Sequence, residues 1–255
     1  MGELVSKVNI KFADARLWRY TLKAIAELAE VAGLRIDENG IRIAAMDPSH
    51  VSLIDFRIPR EAFDEYEIQE PTALVFNLED ISKILRRATR TDSLGIKADE
   101  SKVNFILISK GGVERQFIVP QLTQDVEEVP ELELQFPVVA RILGASFATA
   151  ISVLSEVGES LKLRAEPESF KMIGISDLGE AEIIFSTLAG TLIDYSPSSE
   201  TLEASYTLEY FEEAAKISRL ADTVAIYFGP DVPCKLEMEL TSGARLIMYV
   251  APRAE

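Results

Sequence analysis

The sequence predicts an α+β protein built from two duplicated domains, each made of antiparallel sheet with two helices. Three observations carry this: an order of helix-period and alternating segments that occurs twice, glycine turns at matching places in both copies, and an acidic stretch between them with little to bury. The length of 255 residues, 47% of them hydrophobic, suits two domains of roughly 125 residues each.

In the first copy, Val8, Ile10 and Phe12 alternate as a strand does, and Trp18, Leu22, Ile25, Leu28 and Ala29 then recur at helical spacing. Leu34-Arg35-Ile36 is a strand, Asn39-Gly40 a turn, and Ile41-Arg42-Ile43 a second strand leading to Val51–Ile58. Leu78-Glu79-Asp80-Ile81 opens another helix, followed by strands Leu94–Ala98, Val103–Ser109 and Val113–Val119. The second copy repeats this. Phe147, Ile151 and Leu154 mark a helix running to about Val157, Leu161-Lys162-Leu163 matches Leu34-Arg35-Ile36, and Phe170-Lys171-Met172 matches Ile41-Arg42-Ile43, at an offset of 127 to 129 positions. Leu208-Glu209-Tyr210-Phe211 opens the last helix before Val224–Phe228, Lys235–Leu240 and Arg245–Val250. Lys110-Gly111-Gly112 and Ser242-Gly243 are corresponding hairpin turns, because glycine accepts the positive φ that tight hairpins need. Val119-Pro120 and Ala251-Pro252 are corresponding exits. The domains are therefore 1–120 and 138–255, joined by an acidic, extended linker over 121–137 that carries Asp125, Glu127, Glu128, Glu131 and Glu133.

Composition excludes several functions. With 26 Lys and Arg against 42 Asp and Glu, the formal charge is −16, so any role on nucleic acid requires a local basic surface. One cysteine, Cys234, and one histidine, His50, rule out a disulfide framework and Cys/His zinc clusters, which fits a reducing compartment. No apolar run approaches a membrane span, and no signal peptide is expected. Met1 to Ser6 satisfies the short M-G-x-x-x-S/T myristoylation pattern, yet it runs straight into the first alternating strand, which is the plainer reading.

The basic residues are grouped. Lys83, Arg86, Arg87 and Arg90 stand at i, i+3, i+4 and i+7, which on one continuous helix makes a single stripe opposite Ile81, Ile84, Leu85 and Ala88. Arg16, Arg19 and Lys23 stand likewise against Leu22, Ile25 and Leu28. In the second copy the stripe thins to Lys216 and Arg219 beside Glu212 and Glu213, and the helix around Phe147 offers only Thr149, Ser152 and Ser155. One such stripe is most simply a solvated face; two at equivalent places favour a surface for a polyanion. No zinc finger, RNP-like signature or phosphate loop accompanies them, so contact with phosphate would position the chain without reading sequence. Asp47, Asp177 and Asp231 could pair for acid/base work or hold Mg²⁺, but a chain with 42 acidic side chains offers such candidates by composition alone. A duplicated assembly protein that never touches DNA is the remaining alternative.

Ala45-Met46-Asp47-Pro48-Ser49-His50-Val51-Ser52-Leu53 closely resembles a first-domain segment of the PCNA sliding-clamp family. Asn77-Leu78, Ser82-Lys83-Ile84-Leu85, Gly229-Pro230-Asp231-Val232-Pro233 and Tyr249-Val250-Ala251-Pro252 extend the likeness over nearly the whole chain. The resemblance implies the DNA clamp fold and a ring of three subunits whose helices line a central hole. Arg16, Arg19, Lys23, Lys83, Arg86, Arg87, Arg90, Lys216 and Arg219 would then face duplex DNA, bound non-specifically. Where the family usually has basic residues on the third helix, this chain has Thr149 and Ser152. The resemblance also implies a pocket for short peptides of replication enzymes at Met46, His50, Leu53, Val129, Pro130, Pro233, Tyr249, Ala251 and Pro252. Subunits would join by pairing Val113–Val119, through Val113, Arg115, Phe117 and Val119, with a strand over Glu182–Thr187, through Ile183 and Phe185. The partners implied are DNA polymerase, flap endonuclease, DNA ligase, an ATP-driven clamp loader, and either two further copies or related clamp subunits. Neither an enzyme activity, a cofactor, a metal nor a membrane is expected. The location implied is cytoplasmic and nucleoid-associated in an archaeon, nuclear in a eukaryote.

Overall fold

The computed structural model describes residues 6–124, 129, 132–177, 179–197 and 200–253. The myristoylation pattern up to residue 5, Pro130, and the linker residues Asp125, Glu127, Glu128 and Glu131 lie outside the described residues. Contacts divide the chain into two compact units, the first Met1–Ala45, Asp55–Val129 and Ser242–Ala244, the second Met46–Ile54, Pro130–Thr241 and Arg245–Glu255. The short segments 46–54 and 242–244 thus belong to the unit opposite to the one that chain order assigns them.

The elements from the first half of the chain are β1 (Val8–Phe12), α1 (Ala15–Leu28), β2 (Val31–Asp37), β3 (Gly40–Met46), β4 (Ser52–Pro59), a 3-10 turn, β5 (Glu65–Ile68), β6 (Thr72–Asn77), α2 (Leu78–Leu85), β7 (Ser93–Ala98), β8 (Lys102–Ile108) and β9 (Glu114–Pro120). Strands run β5-β1-β7-β8-β9 in one sheet and β4-β3-β2-β6 in neighbouring order in another. Those from the second half are β10 (Val138–Leu143), α3 (Gly144–Leu154), β11 (Ser160–Ala165), β12 (Ser169–Ser176), β13 (Gly179–Ser186), β14 (Asp194–Ser196), β15 (Leu202–Thr207), α4 (Glu209–Ser218), β16 (Ala221–Phe228), β17 (Cys234–Leu240) and β18 (Arg245–Val250). Their orders, β14-β10-β16-β17-β18 and β13-β12-β11-β15, repeat those of the first half strand for strand. The duplication read from the sequence is therefore a duplication of topology.

Registers agree as well. Leu34 pairs with Ile43 in β2–β3 and Leu163 with Met172 in β11–β12. The hairpin between β2 and β3 is closed by the Asp37 carboxylate, which accepts the Asn39 N–H at 2.7 Å and the Gly40 N–H at 3.2 Å. Gly40 has φ +139°, and a Cβ there would meet the Ile58 carbonyl oxygen at 2.2 Å, so both conformation and space demand glycine. A tyrosine buttresses each hairpin. The Tyr66 hydroxyl shares its one proton between the carbonyls of Asp37 at 2.6 Å and Gly40 at 2.7 Å, and the Tyr195 hydroxyl does the same between Glu166 at 2.6 Å and Ser169 at 2.8 Å. Burial raises both phenols to about 12, which keeps them protonated donors.

The helices form where the local chemistry starts and stops them. Asp14 caps α1 by accepting the Arg16 N–H at 2.9 Å, and Asn77 caps α2 by accepting the Asp80 N–H at 3.1 Å, with Glu79 and Asp80 placed favourably in the first turn. Trp18, Leu22, Ile25 and Leu28 of α1 and Leu78, Ile81 and Leu85 of α2 are buried in the first unit. In the second unit α3 and α4 approach until a Cβ on Gly144 would lie 2.2 Å from the Ser218 carbonyl oxygen. The buried Ser218 hydroxyl, 3.0 Å from the Gly144 oxygen and 2.9 Å from the Ala215 oxygen, lies between the two helices. Among the described residues no helix is long and apolar enough to cross a membrane.

Candidate DNA-facing and partner-binding surfaces

Seven of the nine cations expected to face DNA lie in the first unit, and the structure changes how they are held. The second helix ends at Leu85, with Arg86 as its C-cap, so Arg87 and Arg90 lie beyond it. The expectation of one helical stripe from Lys83 to Arg90 is therefore corrected: only Lys83 and the capping Arg86 belong to that helix. The reason is tertiary. The Asp92 carboxylate, 3% exposed, accepts the Thr89 N–H at 2.9 Å and is itself bonded by Arg115 Nη2 at 2.9 Å, holding the chain in a turn beyond the capping Arg86. Lys83, Arg86, Arg87 and Arg90 are all exposed.

The cations of α1 are anchored more closely. Arg16 Nη2 lies 3.1 Å from the Asp14 carboxylate, and the half-buried Arg19 donates from Nη1 to the Ala88 carbonyl at 3.2 Å while stacking over Tyr20. That bond ties α1 to the turn carrying Arg86, Arg87 and Arg90. Lys23 is exposed. Lys83 lies 2.8 Å from Glu79, a surface pair that contributes little and can give way to a phosphate.

The second unit is poorer in positive charge. Lys216 is bonded to Glu213, and Arg219 caps the end of α4. Both border a shallow cavity of about 170 Å³ lined also by Ser152 of α3 and its C-cap Ser155. The third helix ends at Leu154 rather than near Val157, and it carries no charged residue. Thr149 returns its hydroxyl to the Ala145 carbonyl at 2.9 Å and Ser155 to the Ser152 carbonyl at 3.2 Å, while Val153 is 46% exposed.

Most of the expected peptide pocket belongs to the second unit, where an unforeseen residue organises it. Asp47, 7% exposed, accepts backbone N–H groups from Ser49 and Ser52 and the hydroxyl of Ser49, and Tyr210 of α4 reaches it at 3.4 Å. Burial acts to raise its pKa, but these hydrogen bonds outweigh it and hold the carboxyl below the ordinary value of 3.8. His50, at φ +60° and exposed, closes the turn with its N–H on the Asp47 carbonyl at 2.9 Å. The Ala251 N–H donates to the Val51 carbonyl at 2.7 Å, bringing the C-terminal segment against this turn. Met46, Pro233, Tyr249, Ala251 and Pro252 are half-buried, whereas Leu53 is only 6% exposed and serves mainly as core. Val129 belongs to the first unit, where its carbonyl accepts from Arg42 at 3.3 Å. Sequence reasoning treated Asp47 as a catalytic candidate; the Asp-Pro-Ser-His run was a readable turn signal for its actual work.

The strands expected to join subunits both end their sheets. In β9, Arg115, Phe117 and Val119 are half-buried, while Val113 just before it is 63% exposed and Ile118 is 61% exposed. In β13, Ile184 is 55% exposed and Ile183 half-buried, but Phe185 is 5% exposed and stacks on Phe170, so at that position the edge offers backbone rather than side chain. Among the described residues no cluster of three His, Cys, Asp or Glu could hold a metal ion. Cys234 is fully buried, and burial pushes its thiol far up, away from reactivity.

A twice-repeated α+β unit with cationic helices in one copy and free strand edges in both is the architecture of a DNA sliding clamp. Residues 7–122 match the family model of the proliferating cell nuclear antigen (PCNA) N-terminal domain, and residues 128–253 match that of its C-terminal domain. The chain is 36% identical over 245 residues to DNA polymerase sliding clamp 3 of Aeropyrum pernix, covering 96% of this chain and 97% of that one. It is 34% identical over 252 residues to the DNA polymerase sliding clamp of Thermococcus gammatolerans, covering 97% and 98%. A chain in the crystal structure of the PCNA2–PCNA3 complex from Sulfolobus tokodaii superimposes with a TM-score of 0.89 at 32% identity, over 97% of this chain and all of that one. The chain belongs to the PCNA family, whose members are non-enzymatic processivity factors.

Proposed function

We propose that this chain is one subunit of a three-membered ring that encircles duplex DNA, slides on it, and tethers polymerase, flap endonuclease and ligase. The observation that carries the reading is the gathering of Arg16, Arg19 and Lys23 on α1, Lys83 and Arg86 on α2 and its cap, and Arg87 and Arg90 on the turn that follows, within one unit of a chain of net charge −16. Phosphate contacts by such side chains are exchangeable and sequence-independent, which is what movement along DNA requires. Lys216 and Arg219 add to them, and the uncharged third helix leaves the contact uneven around the hole.

Ring closure is supported by topology. β9 and β18 hold equivalent positions at the ends of repeated strand orders, as do β4 and β13. β18 is met at its end by the Val51 carbonyl just before β4, and pairing β9 of one subunit with β13 of the next is the equivalent contact. The partner is a further copy or a related clamp chain. Domains 1–120 and 138–255, with the linker 121–137, are the working division, and the turn of Met46, His50 and Leu53 with Pro233, Tyr249, Ala251 and Pro252 is the seat for client peptides. An external ATP-driven loader opens the ring, and the protein works in the cytoplasm on the chromosome. With that loader, ATP and the polymerase of the same organism on a primed circular template, adding the protein, alone or mixed with related chains, is expected to lengthen the products of a single binding event at least about tenfold. Unchanged product lengths would overturn the reading.

A further inference from the structure

We infer that Leu188 is an apolar anchor of the subunit joint, packing against the turn before β9 of a second copy of this chain, so that the ring closes on a side-chain contact as well as on paired strand edges. The inference deepens the ring reading above and rests on it. Leu188 is 95% exposed, yet the turn that carries it between β13 and β14 is braced. The Ala189 N–H donates to the Ser186 hydroxyl at 3.0 Å, the Gly190 N–H to the Thr187 carbonyl at 3.1 Å, and the Thr191 N–H to the Ser186 carbonyl at 3.1 Å. The Ser186 N–H closes the turn on the Thr191 hydroxyl at 2.8 Å, Gly190 takes φ +69°, and Leu192 is buried as its inward plug. A leucine held out to water on such a turn is preorganised for a partner, because little conformational freedom is left to lose when it is covered.

The duplication points to the occupant. Ile108 pairs with Glu114 in β8–β9 and Glu239 with Arg245 in β17–β18, so Val113 corresponds to Ala244. The Arg60 N–H on the Asn39 carbonyl and the Thr187 N–H on the Glu168 carbonyl are equivalent in the same way, so Pro59 corresponds to Ser186 and Glu61 to Leu188. Within the first unit the turn before β18 meets the end of β4: a Cβ on Gly243 would lie 3.5 Å from Pro59, and Ala244 is fully buried. Its counterpart Val113 is instead largely exposed, beside a strand that ends its sheet. Setting β9 of one copy against β13 of the next in the same sense brings Val113 to the turn that carries Leu188 and takes both out of water. The turn differs between the copies in the direction this contact needs. Phe63 packs inward on Phe12 and Tyr66 within the five residues 60–64, whereas the seven residues 187–193 keep Leu192 inside and send Leu188 out. Both halves of the contact stand on one chain at different sheet edges, a head-to-tail pairing that identical copies can repeat until a ring closes.

The test measures self-association by sedimentation velocity over a concentration series for the parent, Leu188→Lys, Val113→Glu and the chain carrying both changes. Both positions are exposed, so every variant is expected to keep the parent's far-ultraviolet circular dichroism. Either single change is expected to weaken assembly at least about tenfold, because it sets a charge against an apolar side chain. The double change brings opposite charges together across the joint and is expected to assemble more tightly than either single one. Single variants that assemble as the parent does, or a double variant whose loss is the product of the two single losses, would overturn the inference while leaving the strand pairing standing. A parent that stays monomeric alone at every concentration also overturns it, and the ring reading then survives if the protein assembles with related chains from the same organism. If it assembles with none of them, the ring reading falls as well.

Discussion

Reversing Lys83, Arg86 and Arg87 to glutamate is expected to lower retention on closed circular DNA about a hundredfold or more at roughly 0.15 M salt, and to reduce the log–log salt slope by about three per subunit. All three side chains are exposed, and among the described residues Lys83 has only its surface pairs with Glu79 and Asp80 one turn earlier on the same helix. The oligomer and its thermal stability are therefore expected to survive, with an effect within about 0.5 kcal/mol per site on folding. Loss of retention with the assembly intact is the signature of a DNA-facing surface. Retention equal to the parent would mean that these cations are ordinary solvated surface and would favour an assembly protein that never meets DNA. The same reversal at Lys216 and Arg219 is expected to do less, because Lys216 already answers Glu213 and α3 beside it brings no charge.

The largest expected effect on stability is at Trp18. Its indole is fully buried in the first unit, edge-on to Phe12 and to Phe56 at 6.3 Å each, and among the described residues its Nε1 has no hydrogen-bond partner. Trp18→Ala removes the largest side chain of that core and is expected to cost about 3–5 kcal/mol. Trp18→Phe keeps an aromatic ring and deletes a buried donor that is unsatisfied, so it is expected to cost less than about 2 kcal/mol. Urea titration followed by circular dichroism measures both, and a loss for alanine below about 1 kcal/mol would mean that the α1 core is packed far more loosely than its burial indicates. As the sole tryptophan, Trp18 also reports on the first unit alone in the parent, which separates its unfolding from that of the second unit.

What could be read in advance was whatever depends on neighbours in sequence. Alternation of Val8, Ile10 and Phe12, the helical spacing of Trp18, Leu22, Ile25 and Leu28, and the turn at Asn39-Gly40 all appear where local periodicity and turn chemistry put them. The repeat was legible for the same reason, since each copy restates the same local signals. What was not legible came from distant partners. Nothing near Arg86 announces that Asp92, held by Arg115 from another strand, keeps the chain beyond it in a turn, so the basic stripe was drawn too long. Lys110-Gly111-Gly112 reads correctly as a turn with Gly112 at φ +78°, but at Ser242-Gly243 the serine itself takes φ +62° beside the glycine at +73°. The paired tyrosines Tyr66 and Tyr195 escaped notice because their surroundings, Asp-Glu-Tyr-Glu and Ile-Asp-Tyr-Ser, share only the ring that reaches back to each hairpin. Membership of 46–54 in the second unit is a consequence of tertiary pairing that chain order hides. Arg42 read as one residue of an alternating strand, since its partners Asp55 and Val129 lie 13 and 87 positions away.

The measurement that bears most directly on a ring threaded by DNA is retention of the loaded protein on a closed circle before and after that circle is cut once. A subunit whose cations merely adhere to phosphate dissociates at one rate from both. The account predicts slow loss from the intact circle and rapid loss, through the free ends, from the linear form of identical sequence and length. Equal residence on the two would contradict it.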